Sequence, residues 1–196
     1  MSTKFIAGSI AAAIVTLSGI LHAQSGTVPP NVPSDIQVDG DYKLVLWGHA
    51  VGTQNYICAP AATASGVDWL FIGPQATVFG SDGAQLLTHF LSRNPFQADA
   101  LQATWQHSKD TSAVWGKKLR GSTDAAYVSP DAIEWLLLEA TGSVVGPAGG
   151  VKLAGTLRIQ RVNTVGGMKP PSAECTTSSI NTRRFVPYEA DYYFYK

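Results

Sequence analysis

Charge and sulfur are both scarce in this sequence. Charged residues make up only 14% of the 196 residues, and the 14 basic side chains balance the 14 acidic ones. Proteins that bind nucleic acid normally present a net basic face, so this balance argues against nucleic acid as a partner. The only two cysteines, Cys58 and Cys175, are far apart in the sequence. Neither belongs to a Cys-x-x-Cys pair, which leaves thioredoxin-like chemistry without support.

The short motifs of several common enzyme classes are missing as well. The sequence has no Gly-x-Ser-x-Gly elbow, no Gly-x-x-x-x-Gly-Lys phosphate loop and no His-Glu-x-x-His zinc motif. We therefore expect neither a cofactor nor a bound metal. These absences favour a non-enzymatic function over an enzymatic one.

Residues 1–23 have the form of a secretory signal. Lys4 supplies the positive charge, residues 5–21 are apolar and small, and Ala23 is suited to a signal peptidase. A membrane anchor is the alternative, but the apolar run is interrupted by glycine, serine and threonine, and no charged stop-transfer segment follows. We predict that the mature chain begins near Gln24, without a transmembrane segment, and is secreted, either to the extracellular space or to a bacterial periplasm.

Export determines how the cysteine pair is interpreted. In an oxidising compartment, an isolated pair such as Cys58 and Cys175 is more often a disulfide than a metal or redox site. Such a bridge closes a long loop, for which chain-entropy models give roughly 4 to 5 kcal/mol of stabilisation. Two buried free thiols are the alternative.

The mature chain is predicted to hold one domain. Residues 24–40 contain Pro29, Pro30 and Pro33 and few large apolar side chains, which predicts an extended, partly mobile arm. Residues 41–196 are enough for a single domain with a substantial core.

Short runs of aromatic and β-branched residues recur through this domain. Residues 42–50 and 54–58 predict two strands that meet at Gly52, and residues 67–72 predict a third strand that Gly73 ends. Turns rich in glycine and proline separate the later runs in the same way. This pattern indicates an all-β fold, either an antiparallel β-sandwich or a closed β-barrel.

Two segments leave room for at most one short helix. Residues 92–103 are the least strand-like, and a helical turn or a structured loop fits them equally. Residues 132–141 are apolar enough for a buried helix turn or a buried strand, and periodicity does not decide between them. Gly142 directly after the second segment favours a strand.

The predicted strand at residues 151–163 carries an irregularity at Arg161. Leu157 and Ile159 alternate with polar residues as in a half-buried strand, but the next inward position falls on Arg161 and the outward one on Val162. Either a bulge re-aims the side chains there, or an arginine points into the protein. A buried guanidinium must be met by a carboxylate or by several carbonyl groups.

Two roles for Arg161 follow. The first is an ion pair with Asp191 or Glu189 that holds the last strand in place. The second is an anion or carboxylate clamp formed with Asn163 and His89. The ion pair is favoured. Truncating one member of a buried pair is so destabilising that stability alone would account for an arginine at this position.

Several C-terminal motifs resemble those of a known family. They are Trp135-Leu136-Leu137-Leu138, residues 159–167, Cys175 and residues 186–195. With these motifs the chain is similar to the DUF3455 family, secreted bacterial and fungal proteins of unknown function, from about residue 46 to its end. The family's Tyr-x-Cys element, matched by Tyr56-Ile57-Cys58, favours the proposed disulfide.

A second set of family residues marks a candidate site. The family has a histidine followed by a tryptophan and an Asp-x-Ser element, which correspond here to His89, Trp105, Asp110 and Ser112. The segment between the histidine and the tryptophan is longer than usual, and Thr111 stands where glycine is common. Some fungal members carry a malate dehydrogenase label. This sequence argues against that activity, because it has no Gly-x-Gly-x-x-Gly fingerprint and no alternating strand-helix pattern.

Other candidate groups are weaker. The three histidines beyond residue 23 could hold zinc, but their wide spacing favours ordinary hydrogen-bonded roles. The five tryptophans could stack on sugars, although large aromatic residues on strands are more often core. Asp110 could form a glycosidase-type carboxylate pair with Glu134 or Asp191. The three histidines are His49, His89 and His107, and the five tryptophans are Trp47, Trp69, Trp105, Trp115 and Trp135.

We therefore predict a secreted module that binds an extracellular ligand, either a glycan or a small molecule. His89, Trp105, Asp110, Arg161 and Asn163 are the candidate binding residues. The alternatives are a secreted hydrolase with a carboxylate or histidine site and a structural or interaction protein of the cell surface. A closed barrel with an apolar lumen would favour the small molecule.

Overall fold

The chain forms a closed antiparallel β-barrel. The computed structural model describes residues 29–196, so the predicted signal segment and its cleavage site lie outside the described part. Each strand pairs with its neighbour in sequence, and the last strand pairs with the first. The strands are β1 (Leu44–Pro60), β2 (Val67–Phe79), β3 (Gln85–Asn94), β4 (Ala100–His107), β5 (Ala113–Ser122), β6 (Trp135–Val144), β7 (Arg158–Gly166) and β8 (Arg183–Tyr195).

The all-β prediction is confirmed, and the barrel replaces the sandwich as the architecture. Within residues 29–196 the only helical segments are three single 3-10 turns, at Ser34–Ile36, Ser172–Glu174 and Thr177–Ser179. Residues 132–141 contribute to β6, as the strand interpretation predicts. No helix in the described range is long and apolar enough to cross a membrane.

The predicted strand boundaries are wrong in three places. Gly52 does not end a strand but lies in the middle of the 17-residue β1, and β2 runs through Gly73. A Cβ atom at Gly52 would overlap the Gln75 carbonyl oxygen, so glycine there permits close approach of β1 and β2. Gly73 has a φ of 118° and lies opposite a register shift at Asn55. β7 begins at Arg158, and the residues before it form a loop.

Packed side chains fill one end of the barrel. The loop between β6 and β7 inserts Leu153, which is completely buried among inward-facing side chains. The Leu153 amide donates to the Ser112 hydroxyl at 3.0 Å, and the Lys152 amide donates to the Asp110 carboxylate at 2.8 Å. These hydrogen bonds fix the loop to the turn between β4 and β5. The core at this end includes Leu153, Val78, Leu87, Val114, Ile159 and Phe194.

Residues 29–38 cover part of the outer surface of the barrel. Although its prolines predict an extended, partly mobile arm, this segment buries Val32 and Ile36 in a second apolar cluster. The Gln160 side chain donates to the Ile36 carbonyl at 2.8 Å, and Val162 is completely buried beneath the segment.

This covering explains the irregular pattern near Arg161. Ile159 belongs to the inner core and Arg161 lines the lumen, so both point inward, while Val162 points outward and is apolar because the N-terminal segment covers it. The bulge lies beyond Arg161, where the β7 register shifts between Val162 and Val165.

The predicted disulfide is confirmed. Cys58 and Cys175 are bonded, with their Cα atoms 5.4 Å apart. Both cysteines are buried beside Val67 and Trp69. The bond attaches the connection between β7 and β8 to the end of β1.

Candidate functional site

The half of the barrel away from Leu153 encloses a cavity of about 370 Å³. Leucine and aromatic side chains form its apolar walls, and glutamine, lysine and arginine side chains also line it. Leu101 lines the cavity and is 65% exposed, which places the mouth beside the connection between β3 and β4. Phe71 and Lys118 also line the cavity and are exposed, so they lie toward solvent.

Three aromatic rings meet in the interior. The His89 and Trp105 rings stack at 4.3 Å with an angle of 7°, because the two residues are directly paired on β3 and β4. Tyr192 on β8 presents its ring edge-on to both, at 5.0 Å from His89 and 5.2 Å from Trp105. Contacts of this kind hold the rings in fixed positions.

His89 is held in one neutral tautomer. Its Nδ1 lies 2.9 Å from the Thr104 carbonyl oxygen, and a carbonyl only accepts hydrogen bonds, so Nδ1 carries the proton. Burial lowers the pKa of His89 to about 3, against the partly compensating hydrogen bond to Thr104. The imidazole is therefore uncharged near neutral pH, and its Nε2 holds a lone pair.

Arg161 enters the same interior from β7, where it is paired with Tyr192. One of its terminal nitrogens, Nη2, donates to the Glu134 carbonyl oxygen at 2.9 Å. Its Nε is buried and has no hydrogen-bond partner among residues 29–196. A guanidinium has five N–H groups, so donors remain after the contacts with the Glu134 carbonyl and with the nearby Tyr192 hydroxyl.

The predicted ion pair of Arg161 with Asp191 or Glu189 is wrong. Asp191 instead accepts from Asn163 at 2.8 Å and lies 2.8 Å from His49, on the outer side of the barrel. Glu189 lies 3.5 Å from the same histidine. Within the described chain no carboxylate forms a salt bridge with Arg161, because Asp191 and Arg161 point to opposite faces of the sheet.

The positive charge of Arg161 acts on the groups around it. Burial raises the pKa of the Tyr192 hydroxyl, and the guanidinium charge partly offsets that rise. No aspartate or glutamate of residues 29–196 lines the cavity, so its interior is positive. Burial also raises the pKa of Tyr56 and Tyr188, and the charge of Arg161 partly opposes that rise.

Three cavity residues carry buried nitrogens that lack partners in the described structure. They are Gln54 Nε2, Trp105 Nε1 and Arg161 Nε. Four further buried nitrogens without partners in the described structure lie outside the cavity, on Trp47, Trp69, Arg120 and Trp135. All seven atoms are covered by protein atoms, so their missing partners do not by themselves mark a ligand site.

The structure brings together three of the five predicted binding residues. His89, Trp105 and Arg161 all line the cavity, whereas Asp110 and Asn163 do not. Burial raises the pKa of Asp110, but hydrogen bonds from Ser112 and Lys152 outweigh it and hold the pKa at about 2. Asn163 lies at the β7 bulge with a φ of 52° and is exposed. Both residues stabilise turns or bulges outside the cavity.

Gln54 and Tyr192 are cavity residues that the sequence analysis does not identify. A signal for Gln54 exists in β1, where it follows Gly48, Ala50 and Gly52 at the inward positions. The space beside the two glycines is filled by β2, so the signal is the polar residue at an inward position and not the small residues before it. Tyr192 carries no comparable signal, because four consecutive aromatic residues occupy this part of β8.

The weaker candidate groups do not assemble. Within residues 29–196 no three histidine, cysteine or carboxylate side chains cluster as metal ligands. His107 instead accepts from the backbone amides of Lys109 and Asp110 at 3.3 and 3.1 Å. All five tryptophans are buried, so they form no exposed surface for stacking on sugars.

Comparison with known proteins gives one match. A family model described as "Protein of unknown function (DUF3455)" matches residues 39–196, which include the whole barrel and every cavity residue. The chain belongs to the DUF3455 family. No curated protein and no solved structure matches this DUF3455 protein. The function of this DUF3455 member must therefore be argued from its cavity.

Proposed function

We propose that this DUF3455 protein binds a small, largely apolar molecule that carries a carboxylate or a similar anionic group. The observation that supports this function is the charge of Arg161, which faces a mostly apolar cavity without a carboxylate partner in the described chain. Arg161 is partly buried, so water screens part of its charge, but the apolar walls around it strengthen its attraction for an anionic ligand. A planar carboxylate also matches the fork geometry of a guanidinium.

The dimensions of the cavity limit the ligand. Its volume of about 370 Å³ lies within the range of small-molecule pockets. At ~30 Å³ per water molecule, this space corresponds to on the order of a dozen non-hydrogen atoms. Leu136 and Leu138 in the wall would contact the apolar part of the ligand. A single ring or a short chain with one acid group fits this description.

The cavity supports a small molecule better than it supports the alternatives. A glycan-binding surface usually offers exposed aromatic rings, and the tryptophans here are buried. A hydrolase of the glycosidase type needs two carboxyl groups around the scissile bond, and within the described part of the chain no carboxylate lines the cavity.

The test is calorimetric titration of the protein with benzoate, hexanoate and the uncharged analogue benzyl alcohol. We expect the acids to bind and the alcohol to bind at least tenfold more weakly. The Arg161→Met variant should lose about tenfold to a hundredfold in affinity for the acids, because a hydrogen bond to a charged group contributes roughly 1.5 to 3 kcal/mol.

The matched control is Arg158→Met. Arg158 lies on the same strand, but it is outside the cavity and stacks over the Tyr42 ring. This variant should bind the acids like the wild type. Both variants should fold, since no ion pair of Arg161 is broken. Equal binding of acids and alcohol, or an Arg161→Met variant with unchanged affinity, would contradict the proposal.

A further inference from the structure

The cavity lining offers many donors and few acceptors. The Gln54 side-chain oxygen and the Tyr192 hydroxyl can accept hydrogen bonds, but an amide can turn over and a hydroxyl can rotate to donate instead. Lysine, arginine and indole groups only donate hydrogen bonds. The Gln102 side-chain oxygen is already occupied, because it accepts from Asn94 at 2.8 Å and also from Thr141. His89 differs from these groups, since its only side-chain hydrogen bond within residues 29–196 is made by Nδ1.

The neighbours of His89 keep its Nε2 as a hydrogen-bond acceptor. The Thr104 carbonyl requires a proton on Nδ1, so a neutral ring leaves Nε2 as an acceptor. Trp105 stacked on one side and the Tyr192 edge at 5.0 Å restrict the ring. The nearby charge of Arg161 further disfavours a second proton on His89, because like charges repel. Nε2 therefore stays a lone-pair acceptor.

His89 Nε2 and Arg161 require different groups on a ligand. A carboxylate placed against the Nε2 lone pair would be repelled, whereas a hydroxyl or N–H group there would form a hydrogen bond. A carboxylate placed against Arg161 would be stabilised. The two groups enter from different sides of the barrel, on β3 and β7, and they meet across Tyr192.

Building on the proposed function, we infer that the ligand is a hydroxylated carboxylic acid whose hydroxyl group donates to His89 Nε2 while its carboxylate faces Arg161. His89 is then a specificity residue that selects hydroxy acids over unsubstituted acids. Small phenolic acids have the required combination of an apolar ring, one acid and one donor, and their size suits the cavity.

The experiment compares benzoate with 2-, 3- and 4-hydroxybenzoate and with the corresponding methoxybenzoates, by calorimetry on the wild-type protein. We expect at least one hydroxybenzoate isomer to bind about threefold to tenfold tighter than benzoate, which is the net contribution of one neutral hydrogen bond. Its methyl ether should lose that gain, because the ether cannot donate. This comparison needs no variant and therefore does not depend on the folding of one.

Two further measurements assign the gain to His89. In ¹⁵N-histidine-labelled protein, the preferred hydroxybenzoate should shift the Nε2 resonance of one neutral histidine, and benzoate should not. The His89→Phe variant keeps an aromatic ring against Trp105, and it should bind the preferred hydroxybenzoate no more tightly than it binds benzoate, so that the preference for the hydroxyl group is lost. The matched control His49→Phe lies outside the cavity and should keep the preference.

The outcomes separate the two proposals. If benzoate binds through Arg161 but no hydroxyl group improves affinity, the hydroxy-acid inference is overturned and the proposed function stands. The same holds if the His89→Phe variant keeps the full preference. If none of these acids binds, both proposals are overturned.

Discussion

Polar side chains of the barrel form two groups that differ in how well they are paired. Outside the barrel, His49, Asp191 and Asn163 satisfy one another across three strands. Inside the cavity, Arg161 and Gln54 have buried nitrogens without partners in the described chain. The described chain also has unpaired buried nitrogens outside the cavity, on Trp47, Trp69, Arg120 and Trp135, so the proposed ligand site rests on the cavity itself and on the charge of Arg161.

The paired group predicts a dependence of stability on pH. The His49 ring lies 2.8 Å from Asp191 and 3.5 Å from Glu189, and the hydrogen bond to Asp191 is the main cause that raises its pKa above 6.5. A raised pKa means that folding favours the protonated ring. Its stabilisation is therefore fully present below pH 6.5 and is lost as the pH rises through the higher pKa of the folded state.

We expect the His49→Gln variant to melt at a lower temperature than the wild type at pH 6, and the difference to shrink by pH 8.5. Glu189→Gln, which removes the longer contact, should show the same trend with a smaller amplitude. Thermal unfolding followed by circular dichroism at several pH values measures both. A difference between wild type and His49→Gln that stays constant with pH would rule out the charge of His49 as the cause.

Individual residues of the site were partly predictable from the sequence. The broken alternation marks Arg161, and the family resemblance marks His89 and Trp105. The partner of Arg161 could not be predicted, because the face on which Asp191 lies depends on strand register, which the sequence does not reveal. Asn163 was grouped with Arg161 for the same reason, although the bulge turns it toward Asp191 on the outside.

Among the strands, β1 is the one on which the closure of the barrel depends. It is 17 residues long and pairs along most of its length with both β2 and β8. A Cβ atom at Gly52 would collide with backbone atoms of Gln75 and Ala76 on β2. The absence of a side chain at this position lets the two strands approach each other, which a larger residue would prevent.

Gly52→Ala should therefore be destabilising by about 1 to 3 kcal/mol, the usual range for overpacking in a filled interior. Val51→Ala is the control on the same strand, since Val51 is 44% exposed and its truncation should change stability little. Urea unfolding monitored by tryptophan fluorescence gives both free energies. A Gly52→Ala variant as stable as the control would show that the strands can separate without loss.

This glycine also shows why strand boundaries were predicted poorly. Gly52 and Gly73 read in the sequence as turn residues, since glycine most often ends strands. In a barrel, glycine also marks a close backbone approach or a bulge within a continuous strand. The two uses have the same sequence pattern, and only the position of the neighbouring strand distinguishes them. The prediction of strands rather than helices was less affected, because the aromatic and β-branched runs persist on both sides of each glycine.

At the level of the whole molecule, two features hold parts of the chain to the barrel wall. Residues 29–38 bury Val32 and Ile36 against its outer face, and the disulfide attaches the connection between β7 and β8. That connection also receives a hydrogen bond from the Tyr56 hydroxyl to the Gly167 carbonyl at 2.9 Å.

Loss of the disulfide should be strongly destabilising. Its cysteines are separated by 117 positions, and for a loop of this length the chain-entropy model gives about 5 kcal/mol. We expect the Cys58→Ala/Cys175→Ala double variant to lose a free energy of unfolding of this order in urea titrations. Wild-type protein unfolded and refolded in reductant serves as the control and should show a similar loss. A change below ~1 kcal/mol in the double variant would contradict the expectation.

Leu153 and its loop fill one end of the barrel, and the mouth of the cavity lies beside the connection between β3 and β4. A molecule that enters and leaves at this mouth blocks the path of any successor while it is bound. Exchange of one bound molecule for another must wait for spontaneous release. The rate of displacement should consequently reach a plateau that is independent of how much competitor is added.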